Sequence, residues 1–169
     1  MTLPEDQVAG IDVVREWLAA NEIEATEEES ETGEVRVSFA LPGTNKLQTA
    51  VRLDLGRHAL GIHAFVCRRP DENFEAVYRF LLEQNMRLFG VAYGLDSDGD
   101  IYLDARLPLT SVNVEDLDSL LGSVLTYADE TFNVLLELGF ATSIRKEWAW
   151  REARGESTAN LEAFRHLRG

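Results

Sequence analysis

Between Phe89 and Leu109 the chain reads FGVAYGLDSDGDIYLDARLPL, and this stretch constrains the fold more than any other. Phe89, Val91, Tyr93 and Leu95 alternate with small or polar residues, and Ile101, Leu103, Ala105 and Leu107 do the same after an Asp98-Gly99 pair. Period-two alternation on both sides of an Asp-Gly step marks a β-hairpin with one apolar face. That face needs a cover, and one follows directly in sequence. Leu117, Leu120, Leu121, Val124, Leu125, Ala128, Phe132, Leu135 and Leu136 keep the i, i+3, i+4 rhythm of a long amphipathic helix, which Ser111 to Asn113 caps and Gly139 ends. No nucleophile, metal cluster or phosphate cradle lies in or beside the hairpin, so the segment belongs to a scaffold.

The remaining elements fit around this pair. Pro4 to Ala20 reads as a first helix, with Glu5 and Asp6 at its positive end and Ile11, Val14 and Leu18 on one face. Glu22 to Glu34 carries seven Glu and no basic residue, which predicts a solvated loop. Val35, Val37, Phe39 and Leu41 form the inward set of one strand, and Leu47, Val51, Leu53 and Leu55 that of a second. His58 to Cys67 is apolar at both parities, as expected for a more central strand or one covered on both faces. Pro70, Asp71 and Glu72 announce a second helix whose stripe is Phe74, Val77, Tyr78, Leu81, Leu82 and Leu88. Thr142 to Arg154 is helical again, and Ser157 caps a short last helix through Leu161, Phe164 and Leu167. The order is helix, three strands, helix, two strands, helix. This predicts a single α+β domain, an α-β-β-β-α-β-β-α sandwich on an antiparallel sheet over residues 1–140, with a helical extension at 141–169 packed on or beside it.

Composition bounds the function. At 169 residues and 45% hydrophobic, the chain suffices for one core. A net charge of −14 argues against a nucleic-acid binder, whose phosphate contacts need clustered Lys and Arg, and opposes an anionic membrane. No apolar run reaches the ~20 residues of a bilayer span. MTLPEDQVAG lacks the basic and apolar regions of a signal peptide, and the single Cys67 cannot form an internal disulfide, so a cytoplasmic location is expected.

Catalytic and metal motifs fail when tested. In DSDGD the glycine is fourth where an EF-hand needs it sixth, and position twelve is Leu107 where a Glu is required. The stretch is a hairpin turn in which Asp98-Gly99 takes positive φ. His63 and Cys67 share a strand face but lie ~13 Å apart at ~3.3 Å per residue, too far for one zinc ion. GTNK at Gly43 to Lys46 lacks the first glycine and the final hydroxyl of a phosphate-binding loop, and reads as a hairpin loop. No catalytic residue, metal ligand or cofactor is assigned.

Two surfaces suggest partners. In EWAWR, Trp148 continues the stripe of Phe140 and Ile144, while Trp150 lies ~200° round the same helix. With Arg151 and Arg154, these tryptophans are the candidate anchor for another polypeptide, of the residue types favoured at interface hot spots. On the second helix, Phe80 projects ~120° from the apolar stripe beside Ala76, Glu83 and Arg87. That small patch is a candidate centre for self-association with two-fold symmetry.

Four segments together resemble the YbjN family, in its actinobacterial form: PDENFEAVYRFLLEQN, GVAYGLDSDGDIYLDARLPL, LDSLLGSVLTYADETFNVLLELGF and SIRKEWAWREARGESTANLEAFRHLR. The resemblance runs over roughly residues 5 to 168. It implies the type III secretion chaperone fold and a dimer, and it supplies no catalytic residues. Its members are described as sensory transduction regulators and likened to peptide-binding chaperones. The expected function is a non-enzymatic peptide- or protein-binding module, chaperone-like or regulatory, acting as a homodimer. The alternative is a ligand-sensing or enzymatic domain with a pocket between sheet and helices.

Overall fold

A computed structural model describes residues 4–168. Helix α1 (Glu5–Ala20) starts at Pro4, whose carbonyl accepts the Gln7 and Val8 N–H groups. It buries Ile11, Val14, Trp17 and Leu18. Strands β1 (Thr26–Glu29), β2 (Val35–Pro42), β3 (Gln48–Leu55) and β4 (Ala59–Cys67) follow. Helix α2 (Phe74–Asn85), strands β5 (Ala92–Leu95) and β6 (Ile101–Pro108) and the long helix α3 (Val114–Arg154) complete the frame. A 3-10 segment, Ala159–Leu167, folds back on α3. The sheet is antiparallel throughout, in the order β1-β2-β3-β4-β6-β5. This is a mixed helix-and-sheet fold of the expected kind with one strand more.

The added strand corrects the reading of the acidic segment. Thr26 to Glu29 pairs with Ser38 to Val35, all four side chains facing solvent. Pairing uses only backbone groups, so a run of Glu does not forbid it at an edge, and charge on an edge strand blocks adventitious pairing with another chain. Gln7 fastens the turn: its buried Nε2 donates to Gly33 O at 2.6 Å and Leu55 O at 3.0 Å.

Strand faces follow the alternation where it is clean. Val35, Val37, Phe39 and Leu41 are all buried, as are Val51, Leu53 and Leu55. Leu47 is not an inward residue: it is 88% exposed in the β2–β3 loop, and Thr49 takes the buried position. In the hairpin Val91 and Tyr93 are buried against Ile101, Leu103 and Ala105, but Phe89 and Leu95 face solvent. The turn is a five-residue loop in which Gly99 alone takes positive φ (+86°). The Asp96 carboxylate closes it by accepting the Asp98 and Asp100 N–H groups, both at 2.9 Å. β4 lies between β3 and β6, as its double parity requires.

Helices α1 and α3 pack on each other and on the sheet, and α2 packs on α3 and β5. Asn113 caps α3 by accepting the Asp116 N–H at 2.9 Å. Beyond the stripe ending at Leu135, α3 bends at Phe140, whose φ of −139° is not helical. The bend frees the Gly139 carbonyl, which accepts the N–H groups of Asp71 (3.0 Å) and Glu72 (3.2 Å). Glu72 answers by accepting from Thr142 N at 2.7 Å and Thr142 Oγ1 at 3.0 Å. Breaking a helix orphans backbone groups, and here the loop before α2 satisfies both sides of the break. Gly139 allows the approach, because a Cβ there would lie 2.9 Å from Pro70 Cβ.

Candidate functional site

Past the bend the two tryptophans separate. Phe140, Ile144 and Trp148 continue the buried stripe, and the Trp148 indole donates to Glu152 at 3.1 Å. Trp148 is therefore core, and its place among the partner-binding candidates is corrected. Trp150 points away and is 44% exposed, with the Arg154 guanidinium 4.6 Å from its ring centre. Arg151 turns inward along the helix, donating to Glu147 at 2.6 Å and to Ser157 O at 3.0 Å. It braces the Gly155 end of α3 and is spent there. An open groove of about 580 Å³ runs beside Trp150, lined by Ser143, Lys146, Glu147, Arg151 and Glu156.

Helix α2 keeps Val77 and Leu81 of the predicted face inward but is turned toward Phe80 and away from Leu82. Val77 and Leu81 point into the core and Phe80 packs half-buried against it. Phe80 is thus unavailable as the centre of a surface patch. Ala76 is half-buried, and Glu83 and Arg87 are exposed. Apolar residues cover more than half the circumference of this helix, so periodicity alone admits either face. Tertiary packing chose Val77, Phe80 and Leu81. Leu82 (67% exposed) and Met86 (87%) are left outside, and with Tyr78 and the charged Glu75, Arg79 and Glu83 they line a shallow groove of about 640 Å³.

A third feature was invisible in the sequence. The GTNK loop does cradle an anion, but the anion is the protein's own. Asp129 Oδ1 accepts the N–H groups of Thr44 (2.8 Å), Asn45 (2.8 Å) and Lys46 (3.0 Å). A Cβ on Gly43 would overlap this carboxylate and the Lys46 carbonyl. The loop is thereby clamped to α3, and Lys46 is drawn inward until it is only 8% exposed. Its ammonium donates to Phe65 O and lies 5.2 Å from the Phe65 ring centre and 5.8 Å from that of Phe132. Burial holds the Lys46 pKa down at about 8 and pushes the neighbouring Cys67 thiol up to about 11.

His63 belongs to a polar ladder on the helix-free face of the sheet. Its Nδ1 lies 2.6 Å from Asp104 Oδ1 across β4 and β6, and its Nε2 3.4 Å from Asp54. Among the described residues no three His, Cys, Asp or Glu side chains converge on a metal position, and no helix is long and apolar enough to cross a membrane.

An antiparallel sheet covered on one face by α1 and α3, with α2 packed beside β5, is an architecture shared with chains of solved protein complexes, one of them a chaperone–effector complex. A chain of the ExsC–ExsE complex superposes with a TM-score of 0.55 at 18% identity, over 79% of this chain and 97% of that one. A chain of the HopA1–SchA chaperone–effector complex gives 0.55 at 14% identity, over 78% and 98%. At these identities the likeness is one of fold. Residues 10–137 match the family model YbjN, "Putative bacterial sensory transduction regulator", and the chain belongs to this family. An uncharacterized protein of Mycobacterium leprae is 54% identical over 135 residues, covering 80% of this chain and 73% of that protein. One of Mycobacterium tuberculosis strain H37Rv is 56% identical over 128 residues, covering 76% and 70%.

Proposed function

We propose that this protein is a non-enzymatic, chaperone-like module of the cytoplasm that binds another polypeptide through the outer side of its C-terminal helix. The observation that carries the reading is Trp150, exposed under Arg154 at the rim of a groove. An exposed indole stacked by a guanidinium combines the residue types that dominate interface energetics. The segment around it carries Arg145, Lys146 and Arg154 on a protein whose net charge is −14, so the fitting partner offers an apolar side chain flanked by carboxylates. The fold supports the same reading, since one of its neighbours of like architecture is solved as a chaperone–effector complex. In this view residues 1–140 form the YbjN module and 141–169 the extension that recognises the partner.

We further infer a homodimer through the outer face of α2. Leu82 and Met86 are large exposed apolar residues one helical turn apart, flanked by Arg79 and Glu83. Two such helices packed antiparallel about a two-fold axis near Leu82 set the Arg79 of each beside the Glu83 of the other, a self-complementary arrangement.

Cross-linked affinity capture from native lysate tests the partner surface. Wild type recovers a defined polypeptide, and Trp150→Ala, which empties no core position, retains its melting behaviour and loses most of that recovery. Equal recovery by the variant removes Trp150 from the interface.

A further inference from the structure

A third groove, of about 540 Å³, opens between the end of β4 and the bent part of α3. Its walls are apolar, with Phe132, Leu136, Phe140 and Ile144 from α3 and Phe65 from β4. Three charged residues reach it, and two are already neutralised. Arg68 is bidentate on Asp71 at 2.6 and 2.9 Å, and Glu147 holds Arg151 at 2.6 Å. Lys46 is the third. It is more than nine-tenths buried, and no carboxylate lies within salt-bridge distance of its ammonium among the described residues. Among the described residues its partners are one carbonyl and two ring faces.

A cation taken out of water without a counter-charge carries a desolvation cost that one carbonyl and two ring faces offset only in part. Yet the chain spends a clamp on holding it there, since the backbone of Thr44 to Lys46 is pinned by Asp129. With a pKa of about 8, Lys46 still carries its proton at neutral pH. The arrangement therefore offers one fixed positive charge at the side of an apolar trough, and a volume in the range of small-molecule sites.

We propose that this groove binds a small amphiphilic carboxylate, its carboxylate on Lys46 Nζ and its acyl or aromatic body along Phe132, Phe140 and Ile144. The ligand would supply the missing counter-charge. The site meets the Trp150 groove at Ser143 and Glu147, but Lys46, Phe132, Phe140 and Ile144 line this groove and not that one, so loss of decanoate binding leaves the polypeptide-binding reading intact, and the reverse holds as well.

Isothermal titration of the full-length protein with decanoate and with decanol, which share the apolar body and differ in charge, tests the proposal. Wild type should bind decanoate at least tenfold more tightly than decanol. Lys46→Met should lose that preference while its ligand-free thermal midpoint stays at or above that of wild type, because the variant removes an uncompensated charge. Equal affinity for the two ligands in wild type, or no decanoate binding at millimolar concentration, overturns the proposal, and neither result depends on the variant folding. Binding of a short peptide ending in a free C-terminal Phe but not of decanoate also overturns it, assigning the groove to a polypeptide terminus.

Discussion

Leu121 has no solvent exposure and lies between Leu117 and Val124 on the inward side of α3, both equally buried. Leu121→Ala should cost about 2–5 kcal/mol, from lost transfer free energy and the cavity left behind. Denaturant melts read this directly, and a loss below about 1 kcal/mol would mean that the helix slides to refill the site. Asp71 makes a prediction of another kind. Its hydrogen bonds from Arg68 and Ser143 lower its pKa from 3.8 to about 2. The unfolded chain thus takes up this proton before the folded one does. The contribution is complete above the unfolded value and lost as pH falls through the folded one. Asp71 is well exposed, so screening keeps the effect small. Asp71→Asn should flatten the acid limb of the stability curve between about pH 4 and about pH 2, measured by urea melts at fixed salt. An unchanged slope would show that Arg68 and Ser143 do not hold the carboxylate in solution.

At the scale of elements, the edge strand and the bend of α3 carry the new information. β1 has no buried side chain, yet it pairs along four residues, and the turn after it is held by the buried Gln7 amide. Deleting Glu27 to Thr32 strips the outer edge from β2 and leaves the Gln7 donor without its Gly33 acceptor. An unmade buried hydrogen bond costs about 1–3 kcal/mol, and in a protein of this size each kcal/mol moves the midpoint by about 2–4 °C. A fall of about 2 °C or more is therefore expected in calorimetry. An unchanged midpoint would place β1 outside the cooperative unit. The bend at Phe140 decides where the C-terminal half of α3 points, and hence where Trp150 stands. The Asp71-Glu72 pair that holds it is 70 residues away in sequence from Thr142.

For the whole molecule, the net charge of −14 and the apolar outer face of α2 act in opposite directions on self-association. Charge repulsion is screened within about 8 Å at physiological ionic strength, whereas apolar contact is not. The dimer should therefore persist and tighten with added salt. Light scattering is expected to give twice the chain mass for wild type. Leu82→Glu should give a folded monomer, because it would bring two carboxylates together in a desolvated contact. A wild-type monomer at high concentration, or a dimeric variant, removes α2 from the interface.

Elements whose apolar residues fall on one face were legible in the sequence. Val35 to Leu41, Val51 to Leu55 and the α3 stripe from Leu117 to Leu135 lie where alternation or the 3.6-residue repeat puts them, because only one orientation buries them, whereas the helix end expected at Gly139 is a bend at Phe140 past which α3 runs on to Arg154. The Asn113 cap was legible too, since capping is a contact between near neighbours. Three things were settled only in the tertiary structure. The centre of the α2 face, Val77 and Leu81, lies where the repeat puts it, but its edges could not be read because apolar residues nearly encircle the helix, so Phe80 went inward and Leu82 outward by the fit against α3 and β5. β1 could not be read because strand pairing is made by backbone groups to which a glutamate run is indifferent. The Lys46 groove could not be read because its charge balance depends on Asp129, Asp71 and Arg151, which lie far along the chain and meet only once the sheet and α3 are in place. Periodicity is local and survives in one dimension, whereas an uncompensated charge is a property of everything packed around it.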